Sequence, residues 1–212
     1  MSRSFGQKSQ SPRIKICGLS REEDIEIVNR VLPDYIGFVF APSRRRVDTP
    51  TAAALKTKLD PRIKAVGVFV NENVETITEI YRKNIINMVQ LHGDENDEYI
   101  DRLKHLCGCS IIKAIGVGDA LPVLPSEPDY LLFDTLAKGR GGTGKNFDWS
   151  VLKNYHGQPY FLAGGLNSGN VSSAISSLSP FCIDVSSGVE IDGIKNEKKV
   201  DDFVRLVRGK MR

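Results

Sequence analysis

Eight short, continuous apolar runs alternate along the chain with longer amphipathic stretches. The runs are Ile14–Cys17, Tyr35–Phe40, Lys64–Val70, Met88–Leu91, Ser110–Ala114, Tyr130–Phe133, Tyr160–Ala163 and Cys182–Val185. Runs with little polar alternation mark strands buried on both faces, as in a parallel sheet covered by helices. Helical periodicity fills several intervals. Glu22–Val31 sets Ile25, Val28 and Leu32 on one side. Val74–Tyr81 groups Ile77, Ile80 and Tyr81, and Lys198–Val207 groups Phe203, Val204 and Val207. Pro122 and Pro125 make any helix near Asp119–Leu124 short or broken.

Eight strand–helix units in 212 residues predict a closed (β/α)8 TIM barrel, an α/β fold, at the short end of its size range. K-I-C-G-L followed by D-Y-I-G-F is echoed by K-A-I-G-V followed by D-Y-L-L-F, as two half-barrels would be. No Pro-, Gly- and Ser-rich linker divides the chain, so a single domain is expected over 14–212, after a flexible tail over 1–13. The Ser- and Arg-rich start resembles a transit peptide faintly, but the first strand begins too soon after it. The richest loop, Ala137–Asn146, follows the sixth strand and so falls on the active-site face of a barrel.

Composition narrows the class. Hydrophobic residues are 41% and the net charge is +3, an ordinary globular mixture without the basic excess of a nucleic-acid binder. No apolar run approaches a membrane span. Four cysteines, Cys17, Cys107, Cys109 and Cys182, are too sparse for a secreted disulfide framework, so a reducing cytoplasm is expected. Cys107 and Cys109 lack the second pair that a zinc site needs, and no metal is expected there.

The chemically informative residues stand at the carboxyl ends of the runs. Cys17 reads either as a small buried hydrophobe or as a thiolate base. Asp134 reads as a cap, or as a carboxyl whose burial would let it donate a proton. His92 either orients a substrate or satisfies local backbone. A-G-G-L-N, with Gly164 and Gly165, and S-S-G, formed by Ser186, Ser187 and Gly188, follow the last two strands, where barrels of this kind bind phosphate. Arg44-Arg45-Arg46 is either a solvated loop or a bidentate carboxylate grip.

These segments, in order, resemble the phosphoribosylanthranilate isomerase family of tryptophan biosynthesis. The matches are K-I-C-G, G-F-V-F, V-G-V-F-V-N, V-Q-L-H-G, F-D-T, G-G-T-G-K-x-F-D-W, L-A-G-G-L-N and D-V-S-S-G-V-E, covering nearly all of 14–207. The resemblance implies an Amadori rearrangement of a phosphorylated aminoaldose, without metal or organic cofactor. It implies Cys17 as general base and Asp134 as general acid. It implies Gly164, Gly165, Ser186, Ser187 and Gly188 around the phosphate, with His92 also at the substrate. S-x-R after the second strand nominates Arg45 for the anthranilate carboxylate, while an ungapped reading nominates Arg46. Asn196 stands where many relatives carry an acid, and the loop 194–196 is expected to have no role in the chemistry. Two rivals remain at this level: an isomerase of the histidine pathway (or one handling both substrates), and a catalytically silent phosphosugar-binding barrel. A cysteine in the first slot disfavours the former, and the presence of both Cys17 and Asp134 disfavours the latter. Either a monomer or a homodimer is compatible with the sequence.

Overall fold

The computed structural model describes residues 11–135 and 148–210. Most of the expected tail and the whole of the loop 137–146 lie outside the described residues. Eight parallel strands close into a barrel in sequence order: β1 (Arg13–Cys17), β2 (Tyr35–Val39), β3 (Lys64–Phe69), β4 (Met88–Leu91), β5 (Ser110–Val117), β6 (Tyr130–Thr135), β7 (Tyr160–Leu162) and β8 (Cys182–Val185). The barrel closes where β1 meets β8, with Lys15 opposite Asp184. The eight-stranded TIM barrel expected from the sequence is therefore the fold.

Six α-helices lie among the described residues: α1 (Glu22–Val31), α2 (Thr49–Lys58), α3 (Val74–Arg82), α4 (Asp97–Cys107), α5 (Val171–Leu178) and α6 (Glu197–Val207). No helix stands between β5 and β6, where the prolines interrupt the periodicity, and a 3-10 turn at Trp149–Leu152 precedes β7. Caps set the helix starts. The side chains of Asp48, Asn73, Asn96 and Asn196 each accept a backbone N–H from the first turn of α2, α3, α4 and α6. Asn196 thus keeps the capping function that an aspartate would serve. The sulfur atoms of Cys107 and Cys109 face each other around the left-handed Gly108 at the end of α4, while Cys17 and Cys182 stand apart as free thiols.

Strand alternation divides the core in two. Ile14, Ile16, Ile36, Val89, Ile111 and Leu131 face outward and pack beneath the helices. Tyr35, Val66, Met88, Ile112, Leu132, Phe161 and Cys182 fill the lower barrel interior. At about 25 cal/mol per Å² of buried apolar surface, this double layer is the main stabilising contribution to the fold. No described helix is long and apolar enough to cross a membrane.

Candidate active site

The period of two that places Ile14 and Ile16 under the helices turns Lys15 and Cys17 into the barrel. Carried around the sheet through the strand registers, the same parity turns Gln90 and His92, Leu132 and Asp134, and Asp184 and Ser186 inward. Each carboxyl-end residue picked out from sequence at Cys17, His92 and Ser186 therefore has a polar residue two positions earlier and one layer deeper.

Lys15 is fully buried, with Nζ 2.8 Å from Asp184 Oδ2. Burial works against its charge, yet Asp184 and Cys17 hold its pKa above the ordinary lysine value. Burial pushes the Cys17 thiol up, and the positive charges of Lys15 and Lys195 work in the opposite direction. A Cβ on Gly37, opposite Cys17 in the β1–β2 register, would press on Sγ, so this glycine leaves the thiol its room.

Across the mouth, Asp134 Oδ1 accepts the Thr135 N–H at 2.7 Å, and Oδ2 lies 3.7 Å from His92 Nε2. Both side chains are about one-third exposed, at 32% and 35%. Burial raises the Asp134 pKa against the opposing effect of His92, and burial lowers that of His92. Burial thus disfavours the charged imidazole, while the neighbouring Asp134 favours it. Gln90 Nε2 stands 2.9 Å from His92 Nδ1, and with the amide donating, the ring proton sits on Nε2 and faces Asp134. Lys15 and Asp184 act electrostatically on both Cys17 and Asp134, so one buried ion pair serves both groups. Glu95 braces the wall beneath His92: it accepts N–H groups from Asn71 and Gly93 at 2.7 and 2.9 Å, and Lys113 Nζ at 2.8 Å.

Of the two arginines nominated from sequence, Arg45 turns toward the mouth. Its side chain covers Gly18, next to Cys17, and pairs with Glu190 through Nε and Nη2, both at 2.7 Å. Arg46 is exposed. Glu190 is itself held by Arg44 at 3.0 Å and by Lys195 at 2.6 Å. Lys195 also donates to the Ser186 carbonyl at 3.1 Å, and Ser186 Oγ donates to the Cys17 carbonyl at 3.0 Å. The loop 194–196, expected to stand apart from the chemistry, therefore reaches the site through a buried lysine.

The two glycine loops meet. Gly164 and Gly165 have φ of 86° and 65°, left-handed conformations suited to glycine. A Cβ on Gly188 would collide with the Leu166 carbonyl oxygen, so the loops after β7 and β8 touch backbone to backbone. Lys195 touches this loop pair at Ser186, and Glu190 joins Lys195 to Arg44 and Arg45. Among the described residues no cluster of three or more His, Cys, Asp or Glu could hold a metal ion.

Lys15, Gln90, Asp184, Glu190 and Lys195 were not singled out from sequence. Their signals were present. The first three are polar residues inside apolar strands at the parity of the site. The last two are the ends of E-I-D-G-I-K, whose Asp-Gly pair marks a two-residue hairpin.

Comparisons with known proteins place the chain in a family. The family model for N-(5'-phosphoribosyl)anthranilate (PRA) isomerase matches residues 14–206. An N-(5'-phosphoribosyl)anthranilate isomerase of Clostridium acetobutylicum is 48% identical over 204 residues, covering 92% of this chain and 98% of the relative. The solved phosphoribosyl anthranilate isomerase of Thermotoga maritima is 36% identical with a TM-score of 0.82, over 93% of this chain and 99% of that one. A further solved structure of such an isomerase, in complex with reduced 1-(o-carboxyphenylamino)-1-deoxyribulose 5-phosphate, is 34% identical with a TM-score of 0.80, over 93% of this chain and 99% of that one. Fold, site and relatives together define an isomerase built on a (β/α)8 barrel. Within that class, the chain belongs to the N-(5'-phosphoribosyl)anthranilate isomerase family of tryptophan biosynthesis.

Proposed function

We propose that this protein converts N-(5'-phosphoribosyl)anthranilate into 1-(2-carboxyphenylamino)-1-deoxyribulose 5-phosphate, with Cys17 as general base and Asp134 as general acid. The observation that carries the assignment is the convergence of a thiol and a carboxyl on one barrel mouth, both under the influence of the Lys15–Asp184 pair. Asp134, with its pKa raised by burial, delivers a proton to the furanose ring oxygen, and the ring opens to a protonated imine. The imine acidifies the proton on the sugar C2. The Cys17 thiolate, stabilised by Lys15 and Lys195, removes that proton, and the enol-amine tautomerises to the ketone. His92 Nε2–H steadies the Asp134 carboxylate as its proton leaves.

Binding follows from charge and shape. The paired glycine loops and Ser186 and Ser187 receive the phosphate through backbone amides, beside Lys195. Arg45 grips the anthranilate carboxylate. Asp184 Oδ1, buried without a hydrogen-bond partner among the described residues, is satisfied by a sugar hydroxyl. A thiolate base suits a reducing compartment, and we assign the reaction to the cytoplasm. Turnover of freshly prepared N-(5'-phosphoribosyl)anthranilate by the purified protein tests the reading.

A further inference from the structure

The segment after β8 folds back as a two-stranded hairpin, β9 (Glu190–Ile191) and β10 (Ile194–Lys195). Asp192 and Gly193, with φ of 50° and 83°, make its turn, which puts Glu190 directly opposite Lys195. Both side chains are buried, at 6% and 5% exposure.

We propose that Glu190 is a positioning residue that sets specificity for an aryl carboxylate, with Lys195 as its brace. The inference rests on the reading of Arg45 as the carboxylate ligand. A guanidinium has five N–H donors. Glu190 takes one from Nε and one from Nη2, the side edge of Arg45. Among the described residues the remaining three have no other partner, and two of them run parallel along the end edge. That edge matches a carboxylate bidentately. Its Cδ and Nε lie over Gly18, the neighbour of Cys17, and the two bonds to Glu190 along the side edge hold the end edge at a fixed angle.

The brace explains why a buried carboxylate is tolerated here. Glu190 Oε1 also accepts Lys195 Nζ at 2.6 Å, and Oε2 accepts Arg44 Nη2 at 3.0 Å. One negative charge thus faces three positive ones, leaving the region able to receive anions. Lys195 gives a second hydrogen bond to the Ser186 carbonyl at 3.1 Å, tying the arginine's support to the phosphate loop. The hairpin thereby fixes the distance between the two ends of an anionic substrate, an arylamine bearing a carboxyl at one end and a sugar phosphate at the other.

The test is calorimetric binding of two ligands to the whole protein: reduced 1-(2-carboxyphenylamino)-1-deoxyribulose 5-phosphate, and the same compound without the carboxyl group. The wild type should prefer the carboxylated ligand by about 100-fold, and Glu190→Gln should cut that preference about tenfold or more. Affinity for the carboxyl-free ligand should fall by a much smaller factor than affinity for the carboxylated one in Glu190→Gln, a split that a merely structural role would not give. In an Arg45→Ala background, Glu190→Gln should have no further effect on the preference. Glu190→Asp, which keeps the charge but shortens the reach, should lose preference in the same direction and serves if Glu190→Gln does not fold. Equal loss on both ligands, an unchanged preference, or tighter carboxylate binding in Glu190→Gln would each overturn the proposal. Absence of preference in the wild type would instead strike at the reading of Arg45.

Discussion

The Lys15 ammonium sits 2.8 Å from the Asp184 carboxylate, both side chains buried inside the barrel on adjacent strands. A buried pair of this kind is costly to break from one side, because the survivor keeps its charge without compensation. Lys15→Met should lower unfolding free energy by about 3–5 kcal/mol, read from the midpoint of urea denaturation. The double change Lys15→Met with Asp184→Asn should recover part of that loss.

Cys17→Ser and Asp134→Asn should each reduce kcat by about 100-fold or more, the scale of a lost general acid or base. Unfolding midpoints of both variants should stay close to that of the parent, since Asp134 is partly exposed and Cys17 half-buried.

Arg45→Ala should raise KM for the carboxylated substrate by about tenfold or more while leaving kcat within a few-fold. Arg46→Ala should be nearly silent, because that side chain is exposed, whereas Arg45 pairs with Glu190. Steady-state kinetics on the two variants decides between the two alignments of the arginine run.

The pH profile of kcat/KM should show an acid limb set by Asp134 and an alkaline limb set by Cys17. Burial raises both groups, so the alkaline limb should lie above the ordinary thiol range. Between the limbs the reactive form, thiolate with protonated carboxyl, is a constant minor fraction and the profile is flat. Lys15→Met should move the alkaline limb upward. Fold stability responds through Glu190. Burial opposes its charge, but Arg45 and Lys195 outweigh that and bring its pKa down to about 2. A carboxylate with a depressed folded pKa stabilises the fold fully above its ordinary value of 4.5, and that contribution fades as pH falls toward about 2. Acid unfolding of Glu190→Gln should therefore be shallower through this window.

Gly188→Ala should force the loops after β7 and β8 apart, because its methyl group has no room beside the Leu166 carbonyl. A stability loss of about 1–3 kcal/mol and a weakened affinity for inorganic phosphate are expected, measurable by denaturation and by competition against substrate.

Much of this was legible in the chain because a buried parallel strand is written as an uninterrupted apolar run. Every strand but the first starts at the residue where its run starts, and the first begins one residue earlier, at Arg13. Arg13 extends the strand because its N–H reaches the Phe181 carbonyl and its guanidinium packs over the Phe181 ring, contacts between distant segments. Cys17, His92, Asp134 and the glycine loops were legible as carboxyl-end residues. The supporting layer was not, since Lys15, Gln90 and Asp184 sit within the apolar runs, and only strand parity reveals that they share the interior. Glu190 and Lys195 were hidden for a different reason: a two-residue hairpin is too short to register as periodicity, and its role depends on Arg45, 145 positions away.

The most direct measurement follows the fluorescence decay of freshly made N-(5'-phosphoribosyl)anthranilate on adding the purified protein, with Cys17→Ser and Asp134→Asn assayed beside it. Acid–base catalysis by Cys17 and Asp134 requires a decay rate proportional to protein concentration and reduced by about 100-fold or more in each variant. A rate no faster than the uncatalysed decay, or one undiminished in both variants, would contradict it.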